Sequence, residues 1–93
     1  MTKPLVVQQT ARIANDLGLH LRAAGALVQV ASQFNCAVKL KRGSMSANAK
    51  SIMSVLSLAA GRGVALVVEA EGDDATAAVA ALVALIEQGF VQS

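Results

Sequence analysis

Apolar residues along the chain recur with two different periods, and the changes of period mark out the elements. Leu5 to Ile13 contains β-branched residues and reads as a strand, closed by the loop composition Asn15-Asp16-Leu17-Gly18. A helical period follows from about Leu21 to Phe34, where Leu27, Val30, Ala31 and Phe34 fall at i, i+3, i+4 and i+7 on one face. Ala37 to Lys41 alternates, with Val38 and Leu40 to one side and Lys39 and Lys41 to the other, which predicts a half-buried strand. Arg42-Gly43-Ser44 reads as a turn and Met45 to Asn48 as a short return strand. Ser51 to Leu58 suits a short helix through Ile52, Val55 and Leu56, ended by Gly61-Arg62-Gly63. Val64 to Ala70 reads as a central strand. Gly72-Asp73-Asp74 then opens a long helix with Asp73 or Asp74 as its N-cap, both carboxylates favouring the positive end of the helix dipole. Its buried face is Ala75, Val79, Leu82, Val83 and Ile86, and Gly89 is placed to cap its C-terminus.

The predicted order is strand, helix, strand, strand, short helix, strand, helix. Four strands and three helices indicate an α+β fold, in which one open sheet covered on one face would bury every apolar stripe. The chain has 93 residues, room for a single domain over 1–93 and one core. Hydrophobic residues make up 55% of it, which argues against disorder, and aromatics only 2%, so the core must be aliphatic. The same scarcity of aromatics argues against a nucleic-acid partner, because little is available to stack on bases. The formal net charge of +2 is too small to point to a polyanion. Lys39, Lys41 and Arg42 cluster in the first half and Glu69, Glu71, Asp73 and Asp74 in the second, read here as two solvated faces, with a weak docking field for a protein as the alternative. Cys36 is the single cysteine, which excludes an intramolecular disulfide and reads as a small buried hydrophobe. Met1 to Val7 lacks the apolar core of a signal peptide, and Leu82 to Ile86 is too short to span a membrane, so a cytoplasmic location is expected.

The candidate chemistry sits in Gly18-Leu19-His20-Leu21-Arg22-Ala23-Ala24. His20 is the only histidine and stands just before the first helical pattern. A helix start has unpaired N–H groups and a partial positive charge, and it stabilises an anion placed there. Arg22 adds a permanent cation able to donate several hydrogen bonds to phosphate oxygens. An imidazole is a competent nucleophile near neutral pH, and phosphoryl transfer needs little beyond position and charge stabilisation. The plainer alternative is a capping or surface histidine. A metal site is not expected, since no second histidine or cysteine pair accompanies His20; nor is a Ser-His-Asp triad, since no nucleophile elbow is visible. No cofactor is expected.

The block Gly18-Leu19-His20-Leu21-Arg22-Ala23-Ala24 resembles the phosphohistidine motif G-L-H-x-R-P-A of the HPr family. A second block, Ala49-Lys50-Ser51-Ile52-Met53-Ser54-Val55-Leu56-Ser57-Leu58, is similar to that family's regulatory-serine segment, and the spacing between the two also fits. The resemblance implies a carrier of the bacterial phosphoenolpyruvate-dependent phosphotransferase system, not an enzyme in its own right. Enzyme I would phosphorylate His20, Arg22 would stabilise the phosphate, and an enzyme IIA domain would receive it. It implies an open-faced sandwich, four antiparallel strands under three helices, and a monomer. Ser51 would cap the short helix and, where the host has HPr kinase/phosphorylase, carry a regulatory phosphate. Ile52, Met53 and Leu56 cannot all face inward on one short helix; a docking surface with Met53 most exposed is preferred over a reading in which all three are core. The alternative function is a regulatory protein-binding module of the same fold controlled by Ser51 phosphorylation. Ala23 departs from the motif's proline, which leaves the start of the helix less rigid by ~0.4–1 kcal/mol. Asn15-Asp16-Leu17-Gly18 and Leu85-Ile86-Glu87-Gln88-Gly89-Phe90 resemble a nitrogen-related branch of the family, which would point to a regulatory cascade in place of sugar uptake.

Overall fold

The four segments read as strands pair into one four-stranded sheet. The computed structural model describes residues 5–90. Its elements are β1 (Val6–Arg12), α1 (Leu21–Ala31), β2 (Ala37–Arg42), β3 (Met45–Asn48), α2 (Ile52–Leu56), β4 (Ala65–Glu71) and α3 (Ala75–Glu87). The strand order is β1-β4-β2-β3 and every neighbouring pair is antiparallel. Arg42 pairs with Met45, and Gly43, at φ +56°, supplies the left-handed backbone that a two-residue hairpin turn needs. Ala11, Val38, Leu40, Ala47, Leu66, Val68 and Ala70 project to the covered face, each at most 3% exposed. α3 lies over β1 and β4, α2 lies against β3, and α1 packs on both α2 and α3. Leu27, Val55, Leu58, Val79, Leu82 and Ile86 complete an aliphatic core that holds no buried charged or polar residue among those described. The expected α+β fold, an open antiparallel sheet with three helices, is the fold observed.

The structure corrects three local readings. α1 ends at Ala31, not Phe34; Gln33 and Phe34 N–H fall back to the Val30 and Ala31 carbonyls. The cause lies 38 or 39 residues away, where the Asp74 carboxylate accepts the Asn35 and Cys36 N–H groups at 2.8 and 2.9 Å. Asp74 therefore occupies the N-cap position of α3 with no side-chain bond to its own helix; only its backbone carbonyl takes the Ala78 N–H, at 3.0 Å. These bonds hold its carboxyl below the ordinary carboxylate range, the Asn35 N–H contributing most. Cys36 is buried as expected; burial, followed by the neighbouring Asp74, pushes its thiol up. Finally, the two charge clusters are not separate faces. Pairing of β2 with β4 sets Lys39 opposite Glu69, and the Lys41 ammonium lies 3.0 Å from the same carboxylate. That half-buried surface pair contributes at most about 1 kcal/mol. Arg42 faces the helices instead, and its Nη1 donates to the Leu58 and Ala59 carbonyls at 2.8 and 2.9 Å. Residues 1–4 of the stretch read against a signal peptide lie outside the described residues. No described helix is long and apolar enough to cross a membrane.

Candidate functional site

The loop before α1 is fixed by backbone contacts that only glycine permits. Gly18 has φ +64°, and a Cβ there would lie 2.5 Å from the Ala60 carbonyl oxygen and 2.7 Å from the Gly61 Cα. Leu19, itself buried, donates its N–H to that same Ala60 oxygen at 2.9 Å. The Gly18 carbonyl accepts from the His20 N–H at 3.0 Å and from the Asn15 side-chain amide at 2.9 Å. This delivers His20 to the N-cap of α1 in an extended conformation, φ −80° and ψ 177°.

His20 caps the helix with its ring. Nδ1 accepts the Arg22 N–H at 3.2 Å, while the His20 carbonyl takes the Ala24 N–H at 2.9 Å. An accepting Nδ1 carries a lone pair aimed at the helix start, so in the neutral ring the proton sits on Nε2. Leu21 and Ala23 N–H find no acceptor among the described residues. Ala23 is only 1% exposed, so its N–H is a buried donor beside the ring. A groove of about 630 Å³ opens here between the first turn of α1, with His20 and Arg22, and the Gly89–Phe90 end of α3. Gly89 and Phe90 both have left-handed backbone, at φ +74° and +62°, and the Phe90 N–H closes on the Leu85 carbonyl at 2.9 Å. Gly89 thus ends α3 as expected, and the turn it makes becomes the far wall of the groove.

Ser51 is the N-cap of α2, its Oγ accepting the Ser54 N–H at 3.4 Å. The cap role is as expected; the bond is long, and Ser51 is half-buried. On α2, Val55 is buried and Leu56 partly packed on the core, whereas Ile52 and Met53 are 37% and 77% exposed. α2 and α1 are packed neighbours, but no hydrogen bond joins Ser51 to His20 or Arg22 among the described residues. Two exposed leucines escaped the sequence reading, Leu17 at 76% and Leu21 at 67%, on either side of His20. Leu21 lies off the stripe that buries Ala23, Ala24, Leu27 and Ala31, and that was the available signal. Asn15 was read only as part of a loop; nothing in its spacing marked its bond to Gly18. No group of three or more His, Cys, Asp or Glu among the described residues could hold a metal ion.

The model of the PTS HPr component phosphorylation site matches residues 7–88. The chain belongs to the HPr family. HPr-family relatives include the phosphocarrier protein HPr of Cupriavidus necator, 44% identical over 91% of this chain and 96% of that protein. The phosphocarrier protein NPr of Shewanella violacea is 37% identical over 97% of this chain and 96% of its own length. The solved HPr-C-His of Thermoanaerobacter tengcongensis superposes with a TM-score of 0.88 at 40% identity, covering 94% of this chain and 98% of that one. Membership makes this an HPr-type phosphocarrier of the phosphotransferase system, a carrier protein in place of a catalytic enzyme. Within the HPr family, Ala23 keeps a backbone N–H that the motif's proline would delete.

Proposed function

We propose that the chain carries a phosphoryl group on Nδ1 of His20, taking it from enzyme I and giving it to an enzyme IIA domain. The observation that carries this reading is the Nδ1 lone pair at the N-cap of α1, facing the Arg22 N–H. In the forward step that lone pair attacks the phosphorus of the donor's phosphoryl group. An N–P bond forms, and the bond from phosphorus to the donor breaks with its electron pair leaving on the donor. Nδ1 gives up the Arg22 N–H to do this, and a phosphoryl oxygen takes the N–H over. The helix start supplies about half a unit of positive charge to the new anion, and the Arg22 guanidinium a full one. Transfer to the acceptor runs the same bond changes in the other direction. An exposed site suits a carrier, because a deeply stabilised phosphohistidine would not pass its cargo on.

Leu17, Leu21, Ile52 and Met53, all exposed, form the proposed docking face with Leu56 at its margin. Regulation through Ser51 is a second element of the proposal. Ser51 is half-buried and its Oγ is held only by a long capping bond, so a phosphate added there by an HPr kinase/phosphorylase would keep a helix-capping acceptor while adding about −1.5 to −2 charges beside the docking face. The deciding experiment incubates the chain with phosphoenolpyruvate and catalytic enzyme I and looks for acid-labile phosphate. The parent takes up label and H20A does not; equal labelling of the two would overturn the assignment.

A further inference from the structure

We propose that Asn15 is a positioning residue for His20, acting through the Gly18 carbonyl; this rests on the phosphoryl-carrier reading of the same site. The Asn15 amide donates Nδ2–H to the Gly18 oxygen at 2.9 Å, while its own Oδ1 is buried with no partner among the described residues. An orphaned buried acceptor is a standing cost to the fold, and a serine or an alanine would avoid it. Nor does the Gly18 oxygen need a second donor, since the His20 N–H already bonds it at 3.0 Å. What the amide adds is direction. The Gly18 C=O to His20 N–H bond closes a three-residue turn over Leu19, and that turn sets the His20 backbone from which the ring reaches the Arg22 N–H. A carbonyl gripped from two sides cannot swing, so the turn and the ring keep one orientation. Asn15 also lies near the opposite wall of the groove. A Cβ added at Gly89 would come within 3.5 Å of the Asn15 Cβ, so this residue sits close to the turn after α3 as well as bonded to the turn before His20.

A purely structural amide and a positioning amide predict different outcomes. In N15A, the orphan acceptor and the second donor leave together, so the urea midpoint stays level or rises. The rate constant for accepting phosphate from enzyme I nevertheless falls about ten- to hundredfold, the loss that a small misplacement of a reacting group produces. KM for the chain is unchanged, because the docking leucines and Met53 are untouched. The Arg22 amide proton, read by NMR, moves toward the position of an unbonded N–H as the Nδ1 contact loosens. N15S, whose hydroxyl can donate to the Gly18 carbonyl more weakly, recovers part of both the rate and the amide shift. An unchanged rate constant in N15A overturns the proposal. So does a raised KM with an unchanged rate constant, which would make Asn15 a docking residue. So does a fall in stability and rate with the Arg22 amide unmoved, which would make it structural only. If the parent itself takes no phosphate on His20, the carrier reading fails, and the Arg22 amide still decides whether Asn15 positions the ring.

Discussion

Replacing Gly18 with alanine tests whether the site loop is locked to the segment after α2. The left-handed backbone at φ +64° costs a non-glycine residue roughly 1–2 kcal/mol. The new methyl would also sit 2.5 Å from the Ala60 oxygen and 2.7 Å from the Gly61 Cα, and both are backbone atoms that a rotamer change cannot move. Forcing extra volume into such a contact adds about 1–3 kcal/mol. The expected total is about 3 kcal/mol, or roughly 12–24 °C in melting temperature for a domain this size. Gly43 provides an internal control. Its φ of +56° imposes the same backbone cost, yet a Cβ there meets nothing within 4 Å, so G43A loses only about 1–2 kcal/mol. Urea and thermal melts of G18A, G43A and the parent give both numbers, and phosphate uptake from enzyme I gives the functional consequence. G18A loses at least about 1 kcal/mol more than G43A, and its uptake slows while that of G43A does not. Stabilities of the two variants within about 0.5 kcal/mol of each other would refute the steric argument, because the backbone cost they share would then be the whole effect.

R42A removes the guanidinium that bonds the Leu58 and Ala59 carbonyls, so it destabilises by about 1–2 kcal/mol and speeds amide exchange at Leu19, whose N–H depends on the adjacent Ala60 carbonyl. Exchange at Leu19 matching the parent's would show that this support does not reach the site. A23P deletes an N–H that bonds nothing among the described residues and stiffens the unfolded chain, so the melting temperature rises by a few degrees; a fall would show that the ring clashes in this buried position. For Asp74, the folded carboxyl lies below its unfolded value of about 4, so its contribution is full above that pH and is lost as pH falls through the folded value. D74N is less stable than the parent at pH 7, and the gap closes on acidification; a gap that persists unchanged at pH 2 would mean that the carboxylate charge is not what stabilises.

Most of the fold was legible because it follows local periods. The β2 alternation and the α3 stripe each specified a buried face, and those residues are buried, although Ala78 and Leu85 of α3 are buried as well. The misses in the fold were long-range, whereas at the site the local bond from Asn15 to Gly18 and the exposure of Leu21 were missed as well. The early end of α1 depends on a carboxylate from the start of α3, and the merging of the two charge clusters depends on β2 meeting β4 in a given register. Neither is encoded in spacing. The same division holds for the rest of the site. His20 before a helix was visible as a position, and Arg22 as its neighbour, but the clamp of Gly18 on Ala60 and the wall made by Gly89 and Phe90 exist only once α2 and α3 are placed.

The choice of histidine at the N-cap separates chemistry from stability. Ser, Asp and Asn are the strong caps, and a ring nitrogen at 3.2 Å from an exposed N–H is a weak one. Everything around it is held firmly: the Gly18 N–H by the Asn15 carbonyl, the Leu19 N–H by the Ala60 carbonyl, the Gly18 carbonyl by two donors. A firm frame around a weak cap is what a phosphoryl carrier requires, since the bond from the Arg22 N–H must pass to a phosphoryl oxygen at each loading and return at each release. If the imidazole serves chemistry, serine in its place should improve the helix: H20S is expected to be more stable than H20A by about 1 kcal/mol and at least as stable as the parent, while taking up no phosphate. Thermal melts of the three proteins measure this directly. An H20S chain less stable than the parent by more than about 1 kcal/mol would show that the ring is a structural element of the loop, and the separation of frame from nucleophile would be wrong.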